Sequence, residues 1–172
     1  MLIALFATNS AFAQGTGQTE KSLNQKFDNF SFDLPNDKWR VLPKSGESKT
    51  QVEVIYGDRL DGYTQIRKLD VKTEDLLDDV IQREQSQKLQ FLPGYVKGKE
   101  DTFKGNLTGK VVNYEFTQSG KAMIGRAYFI QDKNRTTYLL RFTGLRDKLK
   151  LIQNQTDSIA RTFALNEKSA SK

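Results

Sequence analysis

Residues 134–163 read NRTTYLLRFTGLRDKLKLIQNQTDSIARTF. The first part, 135–142, is an apolar and β-branched run of strand length, and Thr143-Gly144 interrupts it. Leu145, Leu149, Ile152, Thr156, Ile159 and Phe163 then recur at spacings of 4, 3, 4, 3 and 4. That spacing draws one apolar stripe along a helix. Lys148, Lys150, Gln153, Gln155 and Arg161 fall on its other side. A strand followed by a one-sided helix predicts a sheet with that helix laid across it.

Working back from this stretch, strands are expected over 95–103, 108–117 and 121–131 before the one at 135–142. Their connections are short and rich in turn residues: Lys104-Gly105-Asn106, Ser119-Gly120 and Asp132-Lys133-Asn134. Strands joined this tightly form an antiparallel meander. Further upstream, 30–34 (FSFDL) alternates apolar and polar residues, Pro35-Asn36-Asp37 turns the chain, and 39–42 resumes it. A strand at 51–56 places Val52, Val54 and Tyr56 on one face, and Asp61-Gly62 is a hairpin pair leading into 63–71. Thr73 fits a helix N-cap with Glu74 and Asp75 in the first turn. Leu76, Leu77, Val80, Ile81 and Leu89 mark that helix, and Pro93-Gly94 closes it. The sum is an α+β domain: an antiparallel sheet sandwiched by helices.

The chain has 172 residues, enough for one domain and its core. Residues 1–13, MLIALFATNSAFA, combine a short apolar run with an Ala11-Phe12-Ala13 cleavage pattern, as in a signal peptide, though without a positively charged start. The run is too short to span a bilayer, which takes about 20 residues. Residues 14–26 read as a flexible linker, 27–165 as the single domain and 166–172 as a disordered tail. The protein is therefore expected to be exported, to the periplasm or beyond the cell, with no transmembrane segment.

Composition excludes much chemistry. The chain contains neither Cys nor His. Thiolate nucleophiles, disulfides, cysteine-ligated metals and Ser-His-Asp triads are all ruled out. The net charge of +6 favours acidic partners. No Lys/Arg run reaches five residues, so nucleic acid is not an expected partner.

Few residues suggest a site. Asp75, Asp78 and Asp79, with Asp70 and Glu74, form an acidic cluster that oxygen-binding cations favour, but its spacing is no EF-hand loop. Helix-dipole carboxylates on a solvated face explain it as well. Glu100, Asp101 and Glu115 offer carboxylates for acid–base hydrolysis or for the solvent face of a strand. Lys133 and Arg135, at one turn, suit an anion or an acidic partner. Trp39 beside Arg40 is either a stacking platform or a core residue. No catalytic residue, cofactor site or resident metal is assigned.

Phe30-Ser31-Phe32-Asp33-Leu34-Pro35 followed by Trp39 resembles the opening of PsbP-like domains. The closing strand Tyr138-Leu139-Leu140-Arg141-Phe142 and the helix ending on Thr162-Phe163 are similar to the family's end. The resemblance covers residues 27–165. It implies an antiparallel sheet sandwiched by helices, as in the Mog proteins of nuclear transport and bacterial envelope proteins. In a photosynthetic organism it implies the thylakoid lumen. It implies a non-catalytic module that binds an envelope or membrane-associated protein. A carrier of a small ligand or divalent metal is the alternative, and a carboxylate-only hydrolase a third reading. Nothing in the sequence marks an oligomeric state.

Overall fold

The computed structural model describes residues 23–42, 52–72 and 74–166. The leader at 1–13, the lead-in to 22, the Thr73 cap and the tail from 167 lie outside the described residues. In chain order the elements are β1 (Leu23–Lys26), β2 (Phe30–Leu34), β3 (Trp39–Leu42), β4 (Val52–Tyr56), β5 (Gly62–Lys68) and α1 (Leu77–Gln87). A 3-10 turn (Leu89–Phe91) leads to β6 (Val96–Lys104), β7 (Thr108–Gln118), β8 (Lys121–Gln131) and β9 (Thr137–Leu145). The chain ends in α2 (Arg146–Leu151), α3 (Gln153–Thr162) and β10 (Ala164–Leu165).

Among the described residues the large sheet has the order β3-β4-β5-β9-β8-β7-β6, with every neighbouring pair antiparallel. It is two meanders joined where β5 meets β9, with Ile66 opposite Leu140. A second sheet, β1-β2-β10, lies beside it. Alternation assigns the faces. Ile124, Tyr128, Ile130, Tyr138, Leu140 and Phe142 point to one side, where Leu149, Ile152, Ile159, Phe163 and the β2 residues Phe30, Phe32 and Leu34 cover them. Met123, Ala127, Phe129 and Leu139 point to the other side, beneath Val80 and Ile81 of α1 and Leu89. Strands β8 and β9 are thus covered on both faces, which explains their nearly continuous apolar runs.

Several local expectations are corrected. Thr143-Gly144 does not end the last strand: β9 runs through Leu145, which packs on the α1 side and so leaves the stripe. The rest of the stripe, Leu149, Ile152, Thr156, Ile159 and Phe163, is buried, but the helix breaks at Ile152 (φ −112°, ψ 16°). No proline or glycine marks the break. Two short helices follow the twisted sheet and the β2 strand where one straight rod would leave them. The linker ends early, because Leu23–Lys26 pairs with β2 from Leu23↔Leu34 to Lys26↔Ser31. The tail begins late: the Asn166 amide donates to the Asn29 carbonyl at 3.1 Å and its side chain to the Phe27 carbonyl at 2.6 Å. The first helix starts at Leu77, with Asp78 and Asp79 in its first turn, and Leu76 stays exposed.

Edge strand β6 is largely exposed and carries Lys97, Lys99, Glu100, Asp101 and Lys104. Its register shifts between Lys97 and Glu100. Charge and a bulge both discourage a second sheet from pairing there.

Candidate functional site

Three polar arrangements stand out, and the first joins β8 to α3. Arg126 sits on the inward face of β8 between Ile124 and Tyr128, so its guanidinium enters the core and needs partners there. Nε donates to Tyr128 Oη at 3.0 Å, Nη1 to Asn113 Oδ1 at 2.9 Å and Nη2 to Asp157 Oδ1 at 2.7 Å. Tyr128 Oη donates to the same Asp157 oxygen at 2.5 Å and lies 3.0 Å from Thr156 Oγ1. Burial, reinforced by the hydrogen bond to Asp157, pushes the Tyr128 phenol up, against the pull of Arg126. The phenol is therefore a neutral donor, and the network fastens α3 to the sheet. It borders a groove of about 360 Å³ in which Lys99, Arg126 and Lys150 face Asp101 and Glu115.

The second arrangement lies between β5 and α1, beside a groove of about 470 Å³. Glu84 is buried on the inner side of α1 and accepts from Arg67 and, at 2.8 Å, from Lys88. Burial raises the Glu84 carboxyl, but the hydrogen bonds from Lys88 and Arg67 outweigh it and hold it below the usual range. One carboxylate thus pairs with two cations, and its bond to Arg67 anchors the helix to β5.

The third is an open groove of about 570 Å³ at one end of the sandwich. Three separate stretches build it: Asn106, Leu107 and Thr108 from the β6–β7 turn, 131–134 from the β8–β9 turn, and 164–166 at β10. Leu107 and Leu165 are part-buried against the core and form its apolar floor. Its walls are braced. The Asn106 amide donates to the Arg161 carbonyl at 2.9 Å and its side chain to the Thr162 carbonyl at 3.1 Å. Asp132 Oδ1 accepts from the amides of Asn134 at 2.9 Å and Thr136 at 2.7 Å, an Asx-type turn. That turn holds Arg135 in the left-handed region at φ 61°.

The residues singled out in the sequence scatter over these places. Lys133 lines the groove, while Arg135 lies on the same turn outside that lining. Asp75 bonds Arg83 at 3.0 Å, which holds its carboxyl below the usual range. Asp78 is 2.6 Å from Lys110. Among the described residues, no three carboxylates, Asp79 included, converge in a way that would hold a metal ion. Glu100 meets Lys110, which it shares with Asp78, at 3.0 Å, Asp101 meets Lys99 at 2.5 Å and Glu115 meets Arg146 at 2.5 Å. Trp39 is a core residue. It is 2% exposed, packs on Tyr56 and Phe142, and donates from Nε1 to Gln155 Oε1 at 2.8 Å.

Asp157, Glu84 and the groove residues Leu107 and Asn166 are not among the residues that the sequence marks as a site. For Asp157 a signal existed: Arg126 stands at an inward strand position, and a charge there implies a buried partner. For the groove no local signal exists, because its walls come from distant parts of the chain. Among the described residues no helix is long and apolar enough to cross a membrane.

No family model and no curated protein matches the chain. Solved structures do. The chain is similar to the cyanobacterial PsbP, CyanoP, of Synechocystis, at 10% identity and a TM-score of 0.63 over 92% of this chain and 98% of that one. The Ran-binding protein Mog1p of Saccharomyces cerevisiae matches at 10% identity and a TM-score of 0.63, over 88% of this chain and 98% of that one. LpqN of Mycobacterium tuberculosis, involved in cell envelope biogenesis, matches at 17% identity and a TM-score of 0.59, over 80% and 83%. At these identities the likeness is one of fold. The chain has the PsbP/Mog1 fold, as its opening and closing motifs suggested.

Proposed function

We propose that this chain is an exported, non-catalytic binding module of the cell envelope, and that the groove between the β6–β7 turn, the β8–β9 turn and β10 is where its protein partner docks. The observation that carries this reading is the groove itself: an apolar floor of Leu107 and Leu165 inside a rim of braced polar side chains. Interfaces of this kind pair an apolar centre with a polar rim. Lys133 adds a positive charge, and the chain's net +6 favours an acidic partner.

Further support comes from the carboxylates. Glu84, Glu100, Asp101, Glu115 and Asp157 each sit against a cation, which is the arrangement of structural ion pairs rather than of an acid–base couple. The leader-like residues 1–13 and the fold shared with LpqN, an envelope-biogenesis protein, favour an envelope location.

The test is site-specific photocrosslinking in living cells of the source organism. A photoreactive residue at Asn134, on the groove rim, is expected to trap one protein in stoichiometric amount. The same residue at Gln82, exposed on α1, is expected to trap none. Equal and diffuse labelling from both positions, or none from Asn134, overturns the reading.

A further inference from the structure

The two-residue strand β10 is one edge of the small sheet, and the groove runs beside it. In its pairing with β2, Ala164 faces Ser31 and Leu165 faces Phe30. The Asn166 amide bonds the Asn29 carbonyl at 3.1 Å, which makes Asn166 and Asn29 a hydrogen-bonded pair. Antiparallel pairs alternate, so Leu165 occupies a non-bonded position. Its N–H and C=O are turned away from β2, toward the open edge that lines the groove. An edge that is unpaired among the described residues, beside an apolar floor, is the form that a partner's strand extends.

The opposite walls suit such a strand. They are the ends of two hairpins, held by the Asn106 and Asp132 bonds and so organised before any partner arrives. The groove contains two charged side chains. Asp132 has committed Oδ1 to two backbone amides of its own turn, whereas Lys133 is exposed and makes no ion pair among the described residues. Asp132 keeps its negative charge but is part-buried and held in its own turn, so the exposed Lys133 is the charge presented to a partner.

We infer that the groove takes an extended acidic peptide segment of the partner, added as a strand along β10, with main-chain bonds to Leu165 and a carboxylate beside Lys133. This rests on the docking reading above and names the chemistry of what docks. Main-chain pairing supplies affinity with little dependence on side chains, Leu107 and Leu165 receive alternate apolar residues, and Lys133 selects for negative charge.

The experiment is an amide NMR titration of the isotopically labelled protein with three synthetic pentapeptides. One is Glu-Val-Thr-Val-Glu, one is Lys-Val-Thr-Val-Lys, and one is the acidic peptide methylated on alternate backbone nitrogens. The acidic peptide is expected to shift Leu107, Leu165 and Asn166 saturably and to slow hydrogen exchange at the Leu165 amide. Backbone methylation is expected to weaken it at least tenfold. Lys133→Glu, checked as folded by its own spectrum, is expected to weaken the acidic peptide and strengthen the lysine peptide. Absence of saturable shifts at millimolar peptide overturns the inference. So does indifference to methylation, which means that side chains alone hold the peptide, or indifference to Lys133→Glu. Crosslinking from Asn134 combined with a silent titration leaves the docking site standing and removes strand addition alone.

Discussion

Tyr114 stands directly opposite Gly125 in the β7–β8 register, and its ring fills the place of the side chain Gly125 lacks. A Cβ at Gly125 would come within 2.0 Å of Tyr114 Cζ. The ring is buried beneath α1, and burial pushes its phenol well up. Gly125 is thus required by its neighbour and not by its own backbone angles. Gly125→Ala is expected to push Tyr114 off the sheet and destabilise the fold by about 1–3 kcal/mol. The urea midpoint measures it, and an unchanged midpoint would show that the ring moves freely.

The Arg126–Asp157 pair holds α3 to β8. Asp157→Ala leaves a buried guanidinium with only Tyr128 and Asn113, and is expected to cost about 2 kcal/mol, less than a fully buried pair because Asp157 is 30% exposed. Removing both charges with Arg126→Met and Asp157→Leu is expected to recover most of that loss. A double-mutant cycle by chemical denaturation checks the sign.

Glu84 makes the fold sensitive to acid. Its folded-state pKa lies below the unfolded value of about 4.3. Its contribution is therefore complete above the unfolded value and is lost as pH falls through the folded one. Glu84→Gln is expected to lower stability by about 1–2 kcal/mol at pH 7, with the gap to the parent closing below about pH 4. Urea midpoints at intervals from pH 3 to 7 measure it; a gap that stays constant with pH refutes the ionic role.

Ile152 lies at the helix break, 5% exposed, and its Cδ1 crowds Gly62. Ile152→Asp places an unpaired carboxylate in the main core and is expected to cost on the order of 4 kcal/mol, a large share of a small domain's stability. Thermal melting by circular dichroism reads the loss. A melting temperature equal to the parent's would remove α2 and α3 from the sheet.

Much of the architecture was legible locally. Phe30, Phe32 and Leu34 are buried while Ser31 and Asp33 between them are not, as strict alternation predicts. The stripe from Leu149 to Phe163 is buried as its helical spacing predicts. The site was far less legible. Lys133 was visible as a cation at a turn, but Leu107, Leu165 and Asn166 carry no local mark of lining the same groove.

What the sequence by itself determined is therefore the kind of each element and the face it buries, together with the chemistry excluded by the absence of His and Cys. These follow from periods of two and 3.6 residues and from an inventory of side chains, both readable over a few positions. Only the tertiary structure decided that β5 joins β9, that the last helix bends at Ile152, that Arg126 meets Asp157, and that two distant turns and the β10 strand line one groove. Alternation tells a residue which face it occupies but not which neighbour shares that face. The neighbour is set by how a twisted sheet and its helices fill a single core.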